Sequence, residues 1–397
     1  MHRLFHNLCG KRPCEFGVLP PSGCRVAVRP LEQEKKSFFA RVGGRARSCI
    51  RKSVSSFAFK PGKSIRRELK RIARKELGRA ADRLNHEQRD DEDVHEGRKS
   101  LKKVEALSAL LEQVGSAPRR KDLKRLRETR RALSRVRDRR AIIETFDRLR
   151  SRLADRLPEH TSALIRAHLA RRKSATMRRA RASAGTLARA GKAVRKLRRA
   201  AGQWSPPSIE LSDLPKILKH SYRASKRAMK RARRRGRAED FHGWRKRVKS
   251  LWLQLRLVER LAASLSARIE QFKELETSLG EEHNFFILRN ELRHDRGLRQ
   301  IRSHIDDLSA MSTAVEEELR RGALVLGAGL FTMSSKAFAK DIGRRLRRGG
   351  ARPRKPSRRI LCVLAHADHR RQNQQHADKV VVVDEGLPPY EKRCGQR

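Results

Sequence analysis

The pattern H-x-x-R-K-x-x-K occurs twice in this chain, as VHEGRKSLKKVE at residues 94–105 and as FHGWRKRVKSLW at residues 241–252. Its specified positions are His95, Arg98, Lys99 and Lys102 in the first copy and His242, Arg245, Lys246 and Lys249 in the second, each pair 147 residues apart. Positions i, i+3, i+4 and i+7 share one face of an α-helix. Each copy therefore presents one histidine and three cations as a stripe. The nearly opposite stripe is apolar: Val94, Leu101, Val104 and Leu111 in one copy, Phe241, Trp244, Val248, Leu251 and Val258 in the other. The spacing predicts two amphipathic helices, each with a buried face and a basic face.

The duplication extends beyond these helices. Leu133-Ser134-Arg135-Val136-Arg137-Asp138 stands opposite Leu279-Gly280-Glu281-Glu282-His283-Asn284, 146 residues on. Each half also opens on a basic helical run, residues 65–84 and 214–236. Two halves with the same helices in the same order imply an all-α internal repeat. Residues 1–62 read as an irregular N-terminal extension and residues 63–348 as one helical domain. That domain divides into half one (63–201), a proline-containing linker (202–215) and half two (216–348). Residues 349–397 read as a flexible basic tail holding two short apolar stretches. Asp93, with Glu96 three residues on, is read as capping the first histidine helix, and Asp240 the second; both histidines then fall in a first turn. The segment GALVLGAGLFTM (322–333) is too short to cross a bilayer and is read as a buried helix.

There are 99 Lys and Arg against 44 Asp and Glu, a formal charge of +55. Such a chain repels itself unless a polyanion neutralises it. Nucleic acid, an acidic membrane surface and a phosphate polymer are the candidates. Aromatic residues at 5% count against a single-strand nucleic-acid binder, which stacks bases on rings. Acidic partners at i+4 do not accompany most of the stripe cations, as they would on a salt-bridged surface helix. Cys9, Cys14, Cys24, Cys49, Cys362 and Cys394 form no C-x-x-C pair, so neither a metal site nor a cofactor is expected. Residues 1–25 lack a continuous apolar signal region, and the expected location is cytoplasmic.

The two histidine helices, with the L-x-x-x-R-D segment at 133–138 and the L-G-x-x-H-N segment at 279–284, resemble the CHAD domain, the conserved histidine α-helical domain. The resemblance covers about residues 64–345. It implies two antiparallel four-helix bundles, related by a pseudo-two-fold, that enclose a basic channel. It also implies binding of inorganic polyphosphate and location at polyphosphate granules, with enzymes of polyphosphate metabolism as candidate partners; the repeat faces hold no cluster of carboxylates placed for a metal, so catalysis is not expected. Carried over by position, His95, Arg98, Lys99, Lys102 and Arg137 line one wall, and His242, Arg245, Lys246, Lys249 and His283 the other. Arg67, Lys70, Arg71, Arg74, Arg223, Arg227 and Lys230 on the upstream helices are secondary candidates. Asp138 and Asn284 are read as orienting or capping groups, and Asn284, in place of the family's usual acid, removes an ion pair from the second half. Members of this family are often fused to a CYTH barrel marked by E-x-E-x-K. That string occurs at Glu32, Glu34 and Lys36, but too few residues surround it to form such a barrel. The alternative reading is sequence-independent nucleic-acid binding, favoured by the Arg-rich segment 150–200.

Overall fold

The computed structural model describes residues 57–85, 90–113, 118–152, 157–182, 185–204 and 209–350. Every regular element among them is helical. The first half comprises α1 (Ile65–Asn85), α2 (Asp91–Glu112), α3 (Arg120–Arg152), α4 (Glu159–Arg181) and α5 (Thr186–Gly202). The second comprises α6 (Leu214–Arg235), α7 (Ala238–Val258), α8 (Ser266–His294), α9 (Arg302–Leu330) and α10 (Ser335–Gly350). Short 3-10 turns, Ala263–Leu265 and Arg296–Ile301, precede α8 and α9.

The helix ends follow local chemistry, and two differ from the sequence expectation. Asp90, not Asp93, caps α2. Its side chain accepts from the Asp93 N–H at 2.8 Å, and Asp93 accepts from the Asp90 N–H at 3.3 Å, a reciprocal capping box. Four acids in a row, Asp90 to Asp93, offer several possible caps, and geometry selects the first. Asp240 does not cap α7 either: Arg237 is the N-cap residue, and Asp240 sits in the first turn. Both histidines are therefore the fifth residues of their helices, beyond the four amides left unpaired at a helix start. The helix terminus does not present those amides to them. Between the two, α6 stops at Gly236, whose φ of 66° is the left-handed conformation that favours glycine at a helix end.

Packing repeats in the same order in the two halves. α1 packs on α2 and α5, α2 on α3, and α3 on α4; likewise α6 packs on α7 and α10, α7 on α8, and α8 on α9. Each histidine helix thus sits in a four-helix bundle, α1–α2–α3–α5 or α6–α7–α8–α10. The fifth helix of each half, α4 or α9, runs along α3 or α8 and reaches the bundle core, where Met177 and Ala180 of α4 join the first core and Ala323 of α9 joins the second. Three apolar cores result. One joins Leu77, Leu84, Val94, Leu101, Leu133 and Val194 in the first bundle. The second gathers Tyr222, Trp244, Phe272 and Phe338 in the other bundle and takes in the start of α1 and the end of α2. The third holds Phe146, Leu149, Ile165, Leu288 and Ile305, from α3, α4, α8 and α9. The predicted apolar stripes of α2 and α7 are buried throughout.

Equivalent helices also meet across the halves, α2 on α7 and α3 on α8. At the far end, Glu291 on α8 pairs with Arg139 on α3 and Arg172 on α4, and His168 on α4 bonds Asp295 at 2.8 Å.

Two expectations are corrected here. Phe57 and Phe59, assigned to an extension outside the fold, are fully buried in the second core, and the Phe59 N–H donates to Leu257 at 2.8 Å. The segment 322–333 is not a buried helix: Ala323, Gly327 and Phe331 are covered, but Val325 is 74% exposed. The E-x-E-x-K string, all six cysteines and the two apolar stretches of the tail lie outside the described residues.

Candidate functional site

Because the apolar stripes of α2 and α7 face their own bundles, the basic stripes face away from those cores. Contact between α2 and α7, and between α3 and α8, turns the two stripes toward one seam. Charges from one half act directly on groups of the other. Lys102 on α2 lies within Coulombic reach of Lys249, Arg245, His242 and His283. Arg98 feels Arg245, Arg137 feels Arg245, and Arg130 bears on both His242 and Lys246.

Burial makes this crowding severe. Arg98 is only 8% exposed, and its guanidinium is pushed down to about 10, first by desolvation and then by Arg137, Arg130 and Arg245 against the opposing pull of Asp138. Lys102 is pushed well below the ordinary lysine range by burial, with Lys249, Arg98 and Arg245 adding to it. Arg245, Lys246 and Lys249 are lowered as well, each first by desolvation. Two cations about 5 Å apart at an effective dielectric near 20 repel by about 3 kcal/mol, so such a cluster needs an anion to be comfortable. Few are supplied. Among the described residues Lys102, Arg137, Arg245 and Lys246 have no carboxylate in ion-pair range, and Asp138 stands 3.8 Å from Arg98, too far to accept a hydrogen bond. No protein group accepts from Nε or Nη1 of Arg98 or from Nε of Arg245.

The histidines sit among these cations. The rings of His242 and His283 stack with centroids 4.0 Å apart, and His242 Nδ1 is buried without a protein partner. Burial, then Lys246, Arg245, Arg130 and Lys102, hold His242 at about 4; burial, then His242 and Arg245, hold His283 at about 3. His95 is lowered by burial and Arg137. All three are neutral at neutral pH.

The structure therefore gathers Arg98, Lys102, Arg137, His242, Arg245, Lys246, Lys249 and His283 along one seam, with His95 at its Arg137 side. Lys99 stays exposed and pairs with Glu96 at 2.8 Å. The secondary candidates are not drawn in. Arg67, Arg74, Arg223, Arg227 and Lys230 are solvent-exposed on α1 and α6, Lys70 is half-buried on α1, and Arg71 is engaged by Glu68 and the Ala58 carbonyl. The charges that bear most on the histidines come from α2, α3, α7 and α8 instead. The expected loss of an ion pair at Asn284 agrees with an Arg245 that has none. Sequence reasoning missed Arg130, Glu276 and Glu282. The first two occupy matched positions, 146 residues apart, with opposite charge, so no repeated residue type marks them.

A cavity of about 740 Å³ opens on another side of α3, lined by Arg135, Arg139, Arg179 and Ile287 among others. Of the seam residues named above it reaches only Asp138, so the chemistry of the histidine rows lies elsewhere. No group of three or more His, Cys, Asp or Glu able to hold a metal ion occurs among the described residues, and no single helix among them is long and apolar enough to cross a membrane.

The CHAD domain family model matches residues 64–293. The chain belongs to the CHAD family. Both histidine rows and both matched segments of this CHAD protein lie within the matched region. No curated protein and no solved structure matches the chain.

Proposed function

We propose that this CHAD protein binds inorganic polyphosphate, without catalysis, along the seam where its histidine rows meet. The observation that carries the reading is the set of half-buried cations left without a carboxylate in ion-pair range, Lys102, Arg137 and Arg245, beside the buried Arg98 and with Lys246 at the exposed edge. Polyphosphate carries about one charge per phosphate and no bases, so recognition needs only charge density and a narrow path. In a partly desolvated seam each contact to phosphate is stronger than in water, and arginine can engage two oxygens at once. Phosphoryl transfer would call for a metal and a placed nucleophile, and the lysines and arginines of the seam are cationic donors that suit anions rather than metal ions. Binding at cytoplasmic polyphosphate granules and partnership with enzymes that make or degrade the polymer follow from the same reading.

Arg98→Ala combined with Arg245→Ala tests it. Two charge-assisted contacts at ~1.5 kcal/mol each amount to a loss of about a hundredfold in affinity. The slope of affinity against salt should flatten too, since fewer counterions are released. Fluorescence polarisation with labelled long-chain polyphosphate reads both, and circular dichroism confirms that the variant is folded. Unchanged affinity in a folded variant removes the assignment. Duplex DNA at matched charge serves as competitor: if it displaces polyphosphate readily while polyphosphate displaces DNA poorly, nucleic acid is the better ligand.

A further inference from the structure

The two halves differ at one decisive position. Arg130 on α3 and Glu276 on α8 are matched by the same 146-residue offset that pairs Arg137 with His283. Arg130, held by Glu105 at 2.9 Å, adds a cation to the seam, whereas Glu276 adds a buried carboxylate, 3% exposed. Glu276 Oε1 accepts from Lys249 Nζ at 2.6 Å, and Oε2 accepts from Lys273 Nζ at 2.9 Å. Lys102 and Arg245 also lie within its Coulombic reach. Lys249 and Lys102 are themselves equivalent residues of the two rows. One has a carboxylate against it and the other has none.

We propose that Glu276 is a resident counter-ion: it occupies the anion position between Lys249 and Lys273, and so confines a bound phosphate chain to the cations that no carboxylate is hydrogen-bonded to, Arg98, Lys102, Arg137, Arg245 and Lys246. The inference rests on the polyphosphate reading above and specifies which part of the seam the polymer uses. Held between two ammonium groups, Glu276 stays ionised; its carboxyl is lowered to about 2 by Lys249 and Lys273 in spite of the burial that opposes this. A phosphate arriving at Lys249 must displace a carboxylate already bonded there. A phosphate arriving at Lys102 or Arg245 displaces no protein anion. Glu276 thus lowers the cost of gathering cations in the empty protein and sets where a bound chain stops.

The test compares Glu276→Gln with wild type, using long-chain polyphosphate and tripolyphosphate as probes over a range of salt. Glutamine releases Lys249 and Lys273 as additional phosphate contacts. Long chains should bind about tenfold tighter, with a salt slope steeper by roughly 1.4 if each new contact adds ~0.7 as on a single strand. Tripolyphosphate, already matched by the unpaired cations, should gain less than about threefold. Equal gains for the two lengths mean that Glu276 acts only as a distant charge, and no gain means that the chain does not approach it; either result overturns the proposal. Should Glu276→Gln fail to fold, Lys273→Ala decides. Its ammonium is spent on Glu276, so wild-type affinity for long chains should hold within about threefold, and a larger loss refutes the assignment. If wild-type protein binds neither probe, the polyphosphate reading itself fails, and the failure is distinct from these.

Discussion

The stacked pair His242–His283 should make polyphosphate affinity and fold stability respond to acid in opposite directions. Their pKa values of about 4 and about 3 lie below the 6.5 of an ordinary imidazole. As pH falls through 6.5 the unfolded chain binds protons that the folded, ligand-free protein does not, so stability is lost progressively toward pH 3. A bound polyanion reverses the balance by favouring the imidazolium. Affinity for long-chain polyphosphate should therefore rise several-fold between about pH 8 and about pH 5.5, while the ligand-free melting temperature falls. Replacing both histidines with glutamine should flatten both curves, as read by polarisation and by scanning calorimetry. At this scale much of the site was legible. The repeat located Arg98, Lys102, Arg245 and Lys249, because a stripe at helical spacing needs identical residue types. It could not locate Arg130 and Glu276, whose function lies in being unlike.

Among the elements, α9 shows what periodicity misses. Its apolar segment reads as core by composition alone, yet only one side of it is covered, since α9 meets α6 and α8 along a single stripe. Gly327 marks the contact. A methyl group added there would lie 2.7 Å from Trp244 Cζ2 and 2.8 Å from Met229 Sδ, inside van der Waals contact with a fully buried tryptophan. Gly to Ala inside a helix ordinarily stabilises by about 1 kcal/mol. Here overpacking dominates, and Gly327→Ala should cost about 1–3 kcal/mol in urea unfolding, whereas Gly322→Ala, with nothing within 4 Å, should not destabilise. The cap of α2 falls at Asp90 and not Asp93 for a related reason: helix starts depend on backbone geometry, and a run of four acids leaves the sequence degenerate. The helical class and the pairing of histidine helices were legible because each is written twice.

The whole chain carries +55, and among the described residues many cations lie on exposed helix faces while the seam gathers several that have no carboxylate in ion-pair range. A ligand that neutralises the seam should stabilise the fold by mass action. At one hundred times its Kd, long-chain polyphosphate contributes about 2.7 kcal/mol. The expected outcome is a melting temperature several degrees higher, observed by differential scanning fluorimetry. The shift should shrink as potassium chloride is added and be largely absent from the double Arg98→Ala, Arg245→Ala variant.

The contact of like helices, α2 on α7 and α3 on α8, is the arrangement by which two copies of a half-length protein would associate around a two-fold axis. A homodimer must repeat every substitution on both subunits, so an arginine and a glutamate could never stand at equivalent places. Joining the copies in one polypeptide lifts that restriction. Arg130 and Glu276 are the visible product: a symmetric scaffold with a direction along which a polymer can tell one end from the other.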